Sequence, residues 1–420
     1  MGRQTYRVYK RRTVLKRIVV TGVGMINALG HDKSSFKRIV AGESGIDAIT
    51  LCDSSELECK IAAEVKDFDA SSVMKKREQK KADRFIQLGL HAATEAFEDA
   101  ALESVDTTAF GVVSANCLVG IGSIEVAADI KNSSKLSHIS PFLIPSYMPN
   151  MLAGQVSMRF DLRGANLSEN TACAAGTHAI IEAYKTLQFS KGEGMLVVGA
   201  EAGITSLALG GFGAMNALCS NHNEMPKEAV RPFDKDRSGF VMGEGAGALL
   251  LETLDHAQKR GAKIYGEIIG FGESADAFHI STPHPEARGA ISAMRDAYEM
   301  AGAPKIDYIN AHGTSTYYND IREAKAIDEV FGEMKPYVSS IKGQVGHTLG
   351  AAGVIEAVVS LLSMQQNCIA PVTNYSESES EMAEINLVSE TLLEVELSTV
   401  LSCNFGFGGT NAAVIFKKVV

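Results

Sequence analysis

With 420 residues, 45% of them hydrophobic and 21% charged, the chain can build one large core or two smaller ones and lies outside the disordered and fibrous classes. A formal net charge of -10 argues against general affinity for nucleic acid or anionic lipid, since both need a basic surface. Seven cysteines with no CxxC pair and no histidine cluster at ligand spacing read as a reduced, cytoplasmic chain without structural zinc.

The first 17 residues hold seven basic and no acidic side chains but lack the apolar core and cleavage site of a secretory signal. A disordered basic extension over residues 1–15 is expected. RIVVTGV then predicts a strand, and a helix follows near 80–101, with Phe85, Leu88 and Ala92 on its buried face. The basic run Lys75, Lys76, Arg77, Lys80, Lys81 and Arg84 opens this helix. Next come a strand in AFGVVSA, a helix near 149–160, and strands in MLVVGAE and GALLLE. After the basic turn KRGAK the series repeats: YGEIIGF, a helix near 286–301, IDYINAH, a helix near 320–330, YVSSIK, an apolar helix near 351–364, and paired strands at the end. The alternation argues for an α/β fold. Two similar halves, 16–265 and 266–420, would explain the order, and the lack of a Pro-rich or Ser-rich linker favours one compact unit built by duplication. The richest apolar stretch, Val354 to Met364, is too short to span a membrane and reads as a buried helix.

Two glycine motifs resemble dinucleotide fingerprints. Gly22, Gly24 and Asn27 follow one strand, and Gly270, Gly272 and Ala275 follow another. A fingerprint needs a helix opening at its third position to receive pyrophosphate, but the second motif runs into HISTPHP, whose prolines exclude one. No GxxxxGK[ST] cradle exists for ATP.

Chemistry concentrates elsewhere. NLSENTACAAGTHAIIEAYKTLQF places Cys173 where a strand ends and a helix starts, so the helix N-terminus is expected to favour thiolate over thiol. Small neighbours, Ala172, Ala174, Ala175 and Gly176, leave room for a substrate. INAHGTST puts His312 at a strand end, and IKGQVGHTLGAAG puts Lys342 and His347 in a glycine-rich turn before a helix. One nucleophile and two proton or hydrogen-bond donors result. NFGFGGTN lies between two strands and suits either a tight hairpin or close backbone approach to a ligand.

TACAAG, NAHGTST, IKGQVGHTLGAAG and NFGFGGTN, in this order, together with RPFDKDRSGFVMGEGAG and KREQKKADRFIQ, resemble the β-ketoacyl-acyl-carrier-protein synthases, most closely those of the elongating type II. The resemblance covers residues 16 to 420. It implies the thiolase fold: two duplicated βαβαβαββ halves packed as a five-layered αβαβα structure, with a homodimer as the usual assembly. It implies an acyltransferase that condenses a cysteine-bound acyl chain with a decarboxylating malonyl unit in fatty acid elongation. Substrates arrive on the phosphopantetheine of an acyl carrier protein, and no cofactor or metal resides in the enzyme. By the same resemblance Cys173 is the acylated nucleophile, His312 and His347 are the catalytic histidines, and Lys342 and Glu356 organise them. The Phe407 amide joins that of Cys173 at the oxyanion. Thr314 and Thr316 hold the phosphopantetheine arm, Leu118, Phe405 and Gly408 line the substrate site, and Arg77, Lys80 and Lys81 dock the carrier.

Two departures stand out. Tyr317, Tyr318 and Asn319 replace the usual Pro and Gly before Asp320, and ANCLVGI replaces a glycine-rich pocket segment, with Leu118 for Ile and Val119 for Gly. The second change leaves open a polyketide or polyene pathway. A non-catalytic chain-length partner would lack the nucleophile that Cys173 supplies.

Overall fold

The computed structural model describes residues 15–419, so residues 1–14 of the expected basic extension lie outside it. Ten main strands follow in chain order: β1 (Ile18–Ile26), β2 (Gly111–Ala115), β3 (Asn166–Glu169), β4 (Gly194–Glu201), β5 (Gly245–Thr253), β6 (Gly266–Ala275), β7 (Tyr308–Asn310), β8 (Tyr337–Ser339), β9 (Thr399–Gly406) and β10 (Thr410–Lys417). The principal helices are α1 (Arg84–Asp99), α2 (Ile121–Ser133), α3 (Met151–Phe160), α4 (Ala175–Phe189), α5 (Ser206–Ala214), α6 (Arg288–Met300), α7 (Tyr317–Phe331) and α8 (Ala352–Gln366).

The strand order repeats. β3-β2-β4-β5-β1 in the first half matches β8-β7-β9-β10-β6 in the second. In each half the first three strands run parallel and the last two pair antiparallel. β1 and β6 join the halves through Ile18–Val20 and Gly266–Ile268, and Asn386–Leu387 adds a short strand beyond β8.

Helices cover both faces. α1 and α3 pack on the outside of the first half, α6 and α7 on the outside of the second, and α4 and α8 lie between the two. These are the five layers that the resemblance implies. Because the inner strands are covered on both faces, they read as continuous apolar runs such as IVVTGVGMI, every residue of which is buried. The apolar window Leu349–Gln366 is 89% buried, which makes α8 a core helix.

The two glycine motifs turn out to be equivalent packing seams. A Cβ at Gly22 or Gly24 would stand 2.2 and 2.3 Å from the carbonyls of Ala96 and Ala92 on α1. At Gly270 or Gly272 it would stand 2.3 and 2.0 Å from those of Ala297 and Ala293 on α6. Each pair lets an outer helix lie against its strand.

The expected helix at 80–101 needs correction. α1 starts at Arg84, where the Asp83 side chain accepts from the Phe85 amide, and of the basic run only Arg84 belongs to it, Lys76 and Arg77 lying in a separate turn, Lys76–Gln79, ahead of it. Helices α2 and α5 escaped the sequence reading for a physical reason. α2 buries none of its residues, and α5, SLALGGFGA, carries three glycines.

Candidate active site

β3 runs into a tight turn in which Ala172 takes the left-handed conformation (φ +50°), and α4 begins two residues after Cys173. The turn before α8 packs against the Cys173 turn, so both central helices aim their N-termini at one point. Cys173 is 8% exposed. Burial pushes its thiol up to about 12, Lys342 pulls it down, and the Glu201 and Glu356 carboxylates push it further up. Burial thus opposes the expected pull of the two helix N-termini toward thiolate.

The Cys173 sulfur and a ring nitrogen each from His312 and His347 lie within 4.8 Å of one another. Their environment fixes the tautomers. His347 Nδ1 accepts the Leu349 amide at 3.3 Å. His312 Nδ1 faces two donors, Asn404 Nδ2 at 3.2 Å and Lys342 Nζ at 3.5 Å. With Nδ1 occupied as an acceptor, each ring carries its hydrogen on Nε2. Burial first, and the Lys342 charge second, hold both imidazoles well below their ordinary pKa, so both are neutral. Cys, His and His are also donors a soft metal ion accepts. Two Nε2–H groups instead suit donation to a carbonyl oxygen.

A buried network holds these rings. Lys342 Nζ donates to Glu356 Oε1 and to the His312 carbonyl, each at 2.5 Å. Asn404 Nδ2 donates to Glu356 Oε2 at 2.7 Å, and Asn404 Oδ1 accepts from Thr177. Sequence reasoning quoted Asn404 within its motif but gave it no role. It also passed over two carboxylates on the first turns of α7. Glu323 accepts the amides of His312 and Gly313, and Asp320 those of Thr314, Ser315 and Phe233. Their signal was the acidic pair three residues apart just after HGTST. Asn319 Nδ2 bridges both carboxylates, so the helix starts in order despite the changed turn.

A third carboxylate, Glu201 at the end of β4, accepts the amides of Cys117, Leu118 and Gly350. It ties the pocket loop of the first half to the turn before α8. Burial pushes its pKa up to about 7.

A cavity of about 440 Å³ opens onto Cys173, His312 and His347, with Thr314, Thr316, Phe405 and Phe407 in its walls. At its hairpin wall, a Cβ on Gly406 would stand 3.1 Å from the Cys173 nitrogen and 2.8 Å from the Thr171 carbonyl. The Phe407 amide next to it finds no acceptor among the described residues. Gly408 is not on the wall. It turns the hairpin at φ +85° and donates to the Ile280 carbonyl at 2.7 Å. Leu118 packs instead in the apolar cluster that contains Cys173, while Val119 stays outside that cluster and is forced to φ +51°. Arg77 and Lys80 are exposed and, with Lys81, form no ion pair among the described residues. Lys80 and Lys81 border a second cavity of about 420 Å³, away from the one that opens on Cys173, and Lys81 lies 4.7 Å over the Phe142 ring.

A buried cysteine under two converging helix N-termini, facing two neutral imidazole donors, is an arrangement chemically suited to acyl transfer through a thiol. The comparisons with known proteins agree. The Beta-ketoacyl synthase N-terminal domain matches residues 15–257 and the corresponding C-terminal domain residues 265–376. A 3-oxoacyl-[acyl-carrier-protein] synthase 2 from Coxiella burnetii is 42% identical over 96% of this chain and 99% of its own. A crystal structure of a β-ketoacyl synthase from Burkholderia phymatum superposes with a TM-score of 0.89 at 31% identity, over 97% of this chain and 100% of its own. The AntDE ketosynthase, solved in complex with the type II polyketide acyl-carrier protein AntF, gives 0.87 at 26% identity over 97% and 100%. The chain belongs to the β-ketoacyl synthase family and is a thiolase-fold acyltransferase.

Proposed function

We propose that this chain is a 3-oxoacyl-[acyl-carrier-protein] synthase that condenses a Cys173-bound acyl group with malonyl-carrier during fatty acid elongation. The observation that carries the reading is the convergence of the Cys173 sulfur with two imidazoles held as Nε2–H donors. In the first half-reaction the Cys173 sulfur attacks the acyl thioester. The amides of Cys173 and Phe407 receive the oxyanion, and the sulfur's proton ends on the released carrier thiol. In the second, the Nε2–H groups of His312 and His347 donate to the malonyl thioester carbonyl. Carbon dioxide leaves, and the electron pair stays on the α-carbon as a stabilised enolate. That carbon attacks the acyl-cysteine, the carbon–sulfur bond breaks, and the departing thiolate takes a proton from water to restore the thiol. Lys342, Glu356 and Asn404 orient His312, and Glu323 and Asp320 hold its loop.

Thr314 and Thr316, whose hydroxyls share a 2.8 Å hydrogen bond in the cavity wall, receive the phosphopantetheine arm. Arg77, Lys80 and Lys81 attract the acidic carrier. Two copies assemble as a homodimer, a reading supported by β3, which pairs on one side only and exposes Asn166 and Leu167. A second reading, elongation in a polyketide or polyene pathway, draws on the ketosynthase of AntF and on the altered Leu118–Val119 segment.

Incubation with radiolabelled acyl-carrier tests the assignment. Label on the wild-type protein and none on Cys173→Ala of unchanged thermal stability is expected. Labelling of the variant would overturn it. Repeating the reaction with acyl chains of graded length and with polyketide-type carriers separates the two pathways.

A further inference from the structure

Tyr317 and Tyr318 stand where the resemblance leads one to expect a Pro-Gly turn, and both line the mouth of the Cys173 cavity while remaining 54% and 55% exposed. Two adjacent exposed aromatics at a cavity rim call for an explanation, because tyrosines are concentrated where molecules are recognised. Their rings meet edge to face at 5.2 Å.

Each ring rests on an arginine. The Arg237 guanidinium lies 5.2 Å from the Tyr317 ring centre and that of Arg322 lies 4.7 Å from the Tyr318 ring centre. Arg237 is fixed in turn: it donates to the carbonyls of Thr316 and Tyr317 and pairs with both oxygens of Glu379. Arg322 donates to the Pro283 carbonyl on the same rim. The two rings are thus oriented before anything binds, which lowers the entropic cost of using them.

We propose that Tyr317 and Tyr318 form a preset aromatic wall that grips the pantetheine arm of the substrate just outside Thr314 and Thr316. The arm's chemistry fits: methyl and methylene groups pack on ring faces, and its amides meet phenolic and threonine hydroxyls. The inference rests on the reading that this cavity accepts pantetheine thioesters.

Carbon dioxide release from malonyl-pantetheine, which bears neither phosphate nor carrier, tests the wall, with malonyl-carrier measured in parallel. The double variant Tyr317→Ala, Tyr318→Ala should raise KM about tenfold for both substrates, with the change falling on KM rather than kcat. Tyr→Phe at each position should restore most of the affinity through the retained ring faces. A rise with malonyl-carrier alone would place the tyrosines against the carrier protein and overturn the proposal, as would an unchanged KM for both. Failure of the unsubstituted protein to release carbon dioxide from either thioester would overturn the condensing-enzyme reading itself, and the wall with it. Thermal unfolding of the variants shows whether the fold is intact.

Discussion

The two halves of the molecule repeat one strand order and diverge at the loops that leave it. After β3 the chain makes a tight turn into α4 and presents a thiol. After β8, the equivalent strand, it makes a longer glycine-rich turn into α8 and presents Lys342 and His347. After β2 comes ANCLVGI, which packs beside Cys173; after β7, its counterpart, comes AHGTST, which carries His312. The scaffold supplies two helix N-termini aimed at one point, and divergence of the flanking loops puts the Cys173 thiol in one half and the His312 and His347 imidazoles in the other. Duplication provides the converging helix ends, and in the proposed reaction loop chemistry divides the labour.

The largest effect that would break this division is on carbon dioxide release. His312→Ala and His347→Ala should each slow decarboxylation of malonyl-carrier by about 100- to 1000-fold, the usual cost of removing one oxyanion donor. Normal release by either variant, followed as liberated carbon dioxide, would remove that histidine from the second half-reaction.

Acidity separates the halves next. With the Cys173 thiol pushed up to about 12, its thiolate fraction rises with pH across the working range. Inactivation of acylation by iodoacetamide should therefore accelerate about tenfold per pH unit between pH 6 and 9. The histidines, held well below their ordinary pKa, stay neutral over the same range and add no protonation step. A plateau below pH 9 would show that the helix N-termini prevail over burial.

A comparable effect is expected at the surface. Lys80→Glu with Lys81→Glu should raise KM for carrier-bound substrate by about tenfold at low salt and flatten its salt dependence. Kinetics unchanged from low to moderate salt would contradict docking there.

The smallest effect sharpens the contrast between the loops after β2 and β7. In the second, Gly313 and Ser315 take positive φ and are fastened by Glu323 and Asp320. In the first, the β-branched Val119 is held at φ +51°. Val119→Gly should stabilise the protein by about 1 kcal/mol by releasing that strain, measured as a rise in unfolding free energy. The side chain lies outside the apolar cluster around Cys173, so the acyl-length profile should change little. Substitution at Leu118, inside that cluster, should move it. A length shift from Val119→Gly would place residue 119 in the pocket.

Much of this was legible in the sequence, and the rest was hidden for identifiable reasons. Strand and helix order followed from apolar runs, and Cys173, His312 and His347 stood out because each sits in a small-residue turn at the end of an element. The glycine motifs could be rejected as fingerprints, but their role as seams under α1 and α6 depends on alanine carbonyls more than 20 residues away in the chain. Asn404, Glu201, Glu323 and Asp320 were missed as functional groups because their partners are backbone amides or side chains brought near only by folding, as when Glu201 meets Gly350. The opposing pulls on Cys173 were only half legible, because helix position is readable from sequence and depth of burial is not.

The division of labour is tested most directly by carbon dioxide release from malonyl-carrier in Cys173→Ala. If the second half alone performs decarboxylation through His312 and His347, the variant should lose all acyl-enzyme formation yet keep releasing carbon dioxide. Loss of both activities in a protein of unchanged thermal stability would contradict the separation.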